Sequence, residues 1–216
     1  MGGAWQHWPL FGLRIRTPRL ELRMPTDPDL FELVAVARSG VHAPGEMPFI
    51  EPWTETPSPY FETGFLQYHW STRANWRPET WRLELGVFAE GRAAGAQAIS
   101  ADGFAQERTI TTGSWLGQEF QGRGYGKEMR AAVIAFAFDY LQAQWVASAA
   151  FADNGASVHI SRSLGYEQTA TEHVEAHDES REAFHFLMTP ELWYARERPP
   201  IEVDGFDECR DWFGID

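Results

Sequence analysis

Gln121-Gly122-Arg123-Gly124-Tyr125-Gly126 is the stretch that decides how this chain folds. Its three alternating glycines stand between an expected strand, residues 108–116, and an expected helix, residues 127–141. Glycine there lets backbone N–H groups approach an anion closely, at the positive end of the helix dipole. Arg123, Lys127 and Arg130 add three positive charges within eight residues. The physical expectation is a turn that holds a polyphosphate; the alternative is a tight turn whose glycines hold nothing. The spelling G-x-G-x-G departs from the G-x-G-x-x-G dinucleotide fingerprint, whose acid comes about 20 residues on. Asp153 ends the next strand 29 residues after Gly124. No Gly-Lys-Ser/Thr closes the turn as in a nucleotide-hydrolase P-loop.

Working outward, Arg19-Leu20-Glu21-Leu22-Arg23 alternates with period two after Thr17-Pro18, and Thr26-Asp27-Pro28 caps a helix through Leu30, Leu33, Val34 and Ala37. Residues 40–59 hold five prolines and read as a loop. Phe61, Phe65, Tyr68 and His69 repeat at helical spacing over residues 60–72. Trp81, Leu83, Leu85 and Val87 alternate as a strand, turned by Glu90-Gly91-Arg92 into a second around residues 96–99. Met129, Val133, Phe136 and Tyr140 share one face of the helix after the glycines. A strand over 145–151, a short helix over 155–164 and two strands ending near Met188 complete the order. The class is mixed α/β with a mostly antiparallel sheet, too rich in hairpins for a doubly wound fold.

The 216 residues suit one domain with an appendage: residues 1–190, then an acidic, aromatic tail over 191–216. Ile201, Phe206, Trp212 and Phe213 in that tail suggest packing on the domain or on a neighbouring subunit, and a homo-oligomer is expected. Thirty-one acids against 18 bases give −13, and residues 171–216 alone carry 13 acids and four arginines. Such a field disfavours nucleic acid and favours cationic partners, amines among them; simple solubility is the plainer account. No apolar run approaches a membrane span. Residues 1–8 hold neither a basic region nor an apolar stretch, and Gln6 stands where a myristoylation signal wants Ser or Thr. A cytoplasmic location is the expectation. Cys209, the single cysteine, makes no internal disulfide or zinc cluster.

Gln121, Gly124 and Gly126 fill the Gln/Arg-x-x-Gly-x-Gly/Ala signature, and the chain resembles the GNAT superfamily of acyl-CoA N-acyltransferases. The resemblance is closest to its ribosomal-protein-alanine N-acetyltransferase branch. Gly113-Ser114-Trp115-Leu116-Gly117, residues 121–130, Asp153-Asn154-Gly155-Ala156-Ser157, Leu164-Gly165-Tyr166 and residues 17–23 carry it. Coverage runs over residues 14–188. The start and residues 201–214 look like an actinobacterial subgroup that includes a succinyl-CoA-binding member.

The resemblance implies a central sheet splayed at an acyl-CoA cleft, with acetyl-CoA or succinyl-CoA as co-substrate and no permanent cofactor or metal. It implies that backbone N–H groups of Gln121, Gly122, Arg123, Gly124, Tyr125 and Gly126, with Lys127, hold the coenzyme A pyrophosphate. Leu116 would pair with the pantetheine arm, its N–H serving as an oxyanion donor. Asn154 would bind pantetheine or cap the next helix. A neutral amine then attacks the thioester directly in a ternary complex. Many relatives place a tyrosine acid four residues before the Gly-Phe/Tyr pair; here that position is Ser161, and the branch points to Ser157 instead.

No base declares itself. Glu84, which with Arg82 falls on the polar face of its strand, is the candidate catalytic base; Glu175, His42 and His69 are others, and each has an ordinary structural alternative. His173 and His177 have i, i+4 spacing, but on a stretch that reads as strand and loop. Met47, Phe49, Trp53 and Trp81 are the candidate lining of the acceptor pocket. The acceptor itself stays open among a protein N-terminus, a lysine and a small molecule. A catalytically silent acyl-CoA sensor and an interaction module using the acidic tail remain the alternatives.

Overall fold

The computed structural model describes residues 7–215; Met1–Gln6, on which the reading of the opening partly rested, and Asp216 lie outside them. In chain order the elements are β1 (Arg14–Arg16), β2 (Leu20–Arg23), α1 (Asp27–Arg38), α2 (Tyr60–Ala74), β3 (Thr80–Ala89), β4 (Arg92–Asp102), α3 (Phe104–Glu107), β5 (Thr109–Leu116), α4 (Tyr125–Asp139), β6 (Trp145–Phe151), α5 (Gly155–Leu164), β7 (Glu167–Ala176), β8 (Glu179–Met188), α6 (Pro190–Tyr194) and β9 (Glu202–Asp204). The strands form one sheet in the order β7-β8-β6-β5-β4-β3-β2-β1-β9. Among the described residues only β5 and β6 pair in parallel, across the helical crossover that a parallel pair requires. Among the described residues no helix is long and apolar enough to cross a membrane.

That parallel pairing is short, and its shortness makes the site. Thr109–Thr112 match Trp145–Ser148 and then the strands part. β5 stays with β4 as far as Leu116 opposite Gly95, while β6 leaves with β8 as far as Phe151 opposite Ala183. The sheet therefore opens as a wedge with its apex near Thr112 and Ser148.

Alternation along β3 separates two cores. Leu83, Leu85 and Val87 pack with Met129, Val133 and Phe136 of α4 on one face. On the other, Leu30 and Leu33 of α1 and Phe61 and Phe65 of α2 pack around Phe88 and Ala93. Entry to α1 is fixed by a capping box: Thr26 Oγ1 accepts from Asp29 N–H at 3.5 Å and Asp29 Oδ2 accepts from Thr26 N–H at 2.7 Å. Such a cap contributes about 1 kcal/mol. Burial pushes the Asp29 carboxyl up, but Arg23 and Thr26 outweigh it and hold it down at about 2.

Residues 201–215 return to the first strands. β9 pairs with β1, Ile15 facing Val203. Phe206, Cys209 and Phe213 are buried in the α4 core, and the indole N–H groups of Trp76 and Trp81 donate to the carbonyls of Trp212 (2.9 Å) and Phe213 (3.3 Å). Trp81 is thereby corrected. It is 3% exposed and faces the tail core, on the opposite side of β3 from Glu84, so it cannot line an acceptor pocket. The strands β1 and β9, three residues each, carry too little periodicity to announce themselves.

Candidate active site

Gly124 is the N-cap of α4, whose first residue, Tyr125, comes two residues earlier than the helical periodicity alone places the start. Gly122 and Gly124 lie at φ +72° and +81°, a region costly for side-chain-bearing residues. No side chain caps this helix, and its first internal bond runs from Glu128 N–H to the Gly124 carbonyl. The N–H groups of Tyr125, Gly126 and Lys127 are therefore left over at the positive end of a 15-residue helix. Gly126 serves packing as well: a Cβ there would sit 2.9 Å from Ile160 Cδ1 of α5. Arg123 and Lys127 are exposed beside the turn.

The Gln121 side chain does a different job from the one expected of its backbone. Its Nε2 donates to Val41 O (2.7 Å) and Leu116 O (2.8 Å), fastening the end of β5 to the segment after α1. Gly117 N–H donates to Ala94 O on β4. Alternation then turns the N–H of Leu116 away from β4, toward the open wedge. A donor at the free edge of β5 and three more at the head of α4 thus border one opening.

Arg19 joins this border without a local sequence signal. From the position just before β2 it donates to Arg123 O (2.9 Å) and Glu128 Oε2 (2.6 Å), and its guanidinium lies 4.8 Å from the Tyr125 ring centre. About a hundred residues separate it from the turn, so no spacing rule finds it.

The α2 face of the wedge is aromatic and charged. Trp53 lies 5.7 Å from Trp115, 5.3 Å from Phe49 and 6.0 Å from Phe61 and Phe65. Met47, on the same loop, receives the Thr54 hydroxyl on its sulfur at 3.9 Å. The loop crosses to the β7–β8 hairpin, where Arg181 Nη1 donates to Met47 O (2.8 Å) and His177 Nε2 meets Ile50 O (2.8 Å). Arg181 also forms a two-bond pair with Asp153. His177 is thus a strap contact, and with His173 it sits on strand and turn rather than on a helix.

Glu84 is not the solvent-facing acid its strand pattern suggests. It is 7% exposed, bound to Arg82 Nε at 2.6 Å and to the Tyr68 hydroxyl. α2 covers the face that alternation alone would leave wet. Burial, then the Glu84 charge, pushes the Tyr68 phenol up, so it stays a donor to that carboxylate. Burial drives His69 down to about 4, leaving a neutral ring packed 4.8 Å from Phe65. His42 is engaged by Thr54 Oγ1 at 2.7 Å, and Glu175 lies exposed on the edge strand β7.

On the second wall, Asn154 Oδ1 accepts from Ser157 N–H at 3.1 Å, which makes Asn154 the N-cap of α5. Ser157 stands half-buried in the first turn after β6. Ser161 is fully buried and its hydroxyl has no partner. The sequence reading missed Tyr68, Trp115 and Arg181 at this site: Trp115 was quoted only within the block of residues 113–117, and Tyr68 and Arg181 are recruited from distant elements with no motif of their own.

Residues 19–167 match the model of the acetyltransferase (GNAT) domain. The fold is shared with solved structures at low identity. A candidate ribosomal-protein-serine acetyltransferase of Vibrio cholerae is 24% identical, with a TM-score of 0.64 over 82% of this chain and 97% of that one. An acetyltransferase-like protein of T. thermophilus is 16% identical, with a TM-score of 0.67 over 84% and 92%. A ribosomal L7/L12 alpha-N-protein acetyltransferase, solved in complex with coenzyme A, is 13% identical, with a TM-score of 0.64 over 80% and 95%.

Proposed function

Since the chain belongs to the GNAT acetyltransferase family, whose co-substrate is acetyl-CoA, we propose that it transfers an acyl group, acetyl or succinyl, from coenzyme A to a primary amine. The observation that carries this is the opening between β5 and β6, bordered by the Leu116 N–H and the unbonded N–H groups heading α4. Gly122, Gly124 and the α4 head take the pyrophosphate, Arg123, Lys127 and Arg19 add charge, and pantetheine follows the free edge of β5. The thioester carbonyl then meets the Leu116 N–H, a donor aimed where negative charge develops.

The amine enters from the α2 face, over Trp53, Phe49 and Met47. Its nitrogen bonds to the carbonyl carbon, and its proton passes to Glu84 through water. The carbon–sulfur bond breaks, and the leaving thiolate takes a hydrogen bond from Ser157. Arg82 and Tyr68 orient Glu84. Asn154 fixes the first turn of α5, and with it the position of Ser157.

Calorimetry with coenzyme A and a thiol-release screen against amines test this reading. Coenzyme A binding with turnover of at least one amine is expected, unaltered by exhaustive chelation. Binding without turnover of any amine identifies a sensor instead, and absence of binding overturns the acyltransferase reading.

A further inference from the structure

The loop over residues 40–59 spans the opening that β5 and β6 leave when they part. Its root is fastened to the β5 wall: Gly40 O accepts from Gln118 N–H at 2.9 Å, and Val41 O accepts from Gln121 Nε2 at 2.7 Å. Further along, Trp53 returns to the same wall at Trp115 of β5. Between these points the loop reaches the opposite wall, and both of its bonds there involve one side chain. Arg181 Nη1 donates to Met47 O at 2.8 Å and lies 3.4 Å from His177 Nδ1. A guanidinium only donates, so that ring nitrogen is the bare one, and Nε2 carries the hydrogen given to Ile50 O at 2.8 Å. Arg181 thus holds Met47 directly and orients the histidine that holds Ile50.

The other arm of the same guanidinium holds the turn after β6. Nη2 donates to both Asp153 carboxylate oxygens at 2.8 Å, and the group lies 3.8 Å from the ring centre of Phe151, the last residue of β6. Asp153 adjoins Asn154, whose side chain caps α5 at Ser157. With its charge met by Asp153, the guanidinium is not an anion site. What distinguishes it is that its two arms hold different parts of the wedge, one the acceptor loop and the other the turn that carries Ser157. A planar fork keeps those two attachments at a fixed spacing, which the flexible point charge of a lysine does not.

We infer that Arg181 is a positioning residue for the acyl transfer proposed above: it clamps the acceptor loop to the Ser157 turn and so keeps Phe49 and Trp53 over the mouth of the wedge. It acts through the backbone of Met47 rather than by touching the reacting atoms. The amine then meets a wall already ordered, and the cost of ordering that loop is not charged to its binding. The same clamp shuts water out of the mouth. Water that enters competes with the amine: its oxygen bonds to the carbonyl carbon, the carbon–sulfur bond breaks, and the carboxylic acid and the thiol leave.

Arg181→Met, which keeps a stem over Phe151 and loses every donor, is the test on the full chain. Thiol release from acetyl-CoA is followed without amine and with n-butylamine, lysine or a tetrapeptide with an amino-terminal alanine, using the one that the parent turns over best. KM for that amine should rise about tenfold and amine-free release about fivefold, while acetyl-CoA affinity by calorimetry stays within about twofold. Arg181→Lys should recover part of both changes. Asp153→Asn, at the exposed end of the clamp, should move both in the same direction by about threefold. A folded Arg181→Met protein with a parental KM overturns the inference, whatever its melting temperature, and leaves Arg181 as a brace of the β7–β8 hairpin. If Arg181→Met does not fold, parental values in Asp153→Asn overturn it instead. If the parent turns over none of the amines, amine-free release alone decides. A parent that does not bind acetyl-CoA at all fails the acyltransferase reading itself, and this inference falls with it.

Discussion

The two faces of the wedge are made from different parts of the polypeptide. On the α4 face the groups that point inward are backbone N–H groups of Tyr125, Gly126 and Lys127, consecutive in the chain and set by two glycine dihedrals. On the α2 face they are side chains: Glu84 and Arg82 from β3, Tyr68 from α2, Trp115 from β5 and Trp53 from a loop strapped down by Arg181. A backbone site is blind to most substitutions, because only loss of the glycine conformation removes it. A side-chain site changes with every residue that lines it. The first suits a coenzyme that never varies; the second suits an acceptor that differs between relatives.

The sharpest way to break this contrast is Gly124→Val. A branched residue at φ +81° adds strain of about 1–3 kcal/mol, and its side chain enters the space before the α4 head, where Arg19 Nη2 is already 3.3 Å from a Cβ. Coenzyme A affinity is expected to fall more than a hundredfold by calorimetry, while circular dichroism still shows a cooperative melt. Tyr125→Phe in the same turn should bind within about twofold of the parent, because only the backbone N–H is used there. Unchanged affinity in Gly124→Val would mean that the turn is purely structural.

Next in size is Glu84→Gln on the side-chain face. With coenzyme A affinity held within about twofold, kcat should drop roughly a hundredfold, the usual range for a lost proton acceptor. A kcat equal to the parent's would reduce Glu84 to a partner of Arg82. Ser157→Ala should lower kcat and kcat/KM together by about tenfold, since its bond is to the departing sulfur rather than to bound substrate. A rise in KM alone would return Ser157 to packing.

The smallest effect concerns stability and leaves both faces intact. Asp29→Asn should cost about 1–2 kcal/mol at pH 7 in urea titrations, because the folded carboxyl is held at about 2 against an unfolded value of about 3.9. A lowered folded value stabilises fully above the unfolded one and is lost as pH falls toward 2. The gap between parent and variant should therefore close between about pH 5 and pH 2. A gap independent of pH would assign it to the helix cap alone.

What could be read from the chain divides along the same line as the two faces. The helix and strand periods, and the glycine turn at residues 121–126, lie in consecutive residues, where spacing speaks directly. Glu84 looked exposed because alternation reports only which face a residue takes, and not that α2 covers that face with Tyr68. Trp81 misled by its bulk: three residues from Glu84 on a strand, it had to face the other way. Arg130 was counted among charges near the phosphates, yet helical rotation carries it under the sheet to Ser114 and Ser148. Arg19 and Arg181 reach their partners across the fold, and nothing local marks them.

The tail's hold on Trp76 and Trp81 makes the protein its own optical gauge. Both rings are deeply buried, stacked at 5.8 Å, and each indole N–H is satisfied by a carbonyl of residues 212–213. Detachment of that segment would wet two tryptophans and strip their acceptors in one event. Their emission should shift to the red together, and a label-free fluorescence trace would then time the undocking of the C-terminal segment separately from the melting of the sheet.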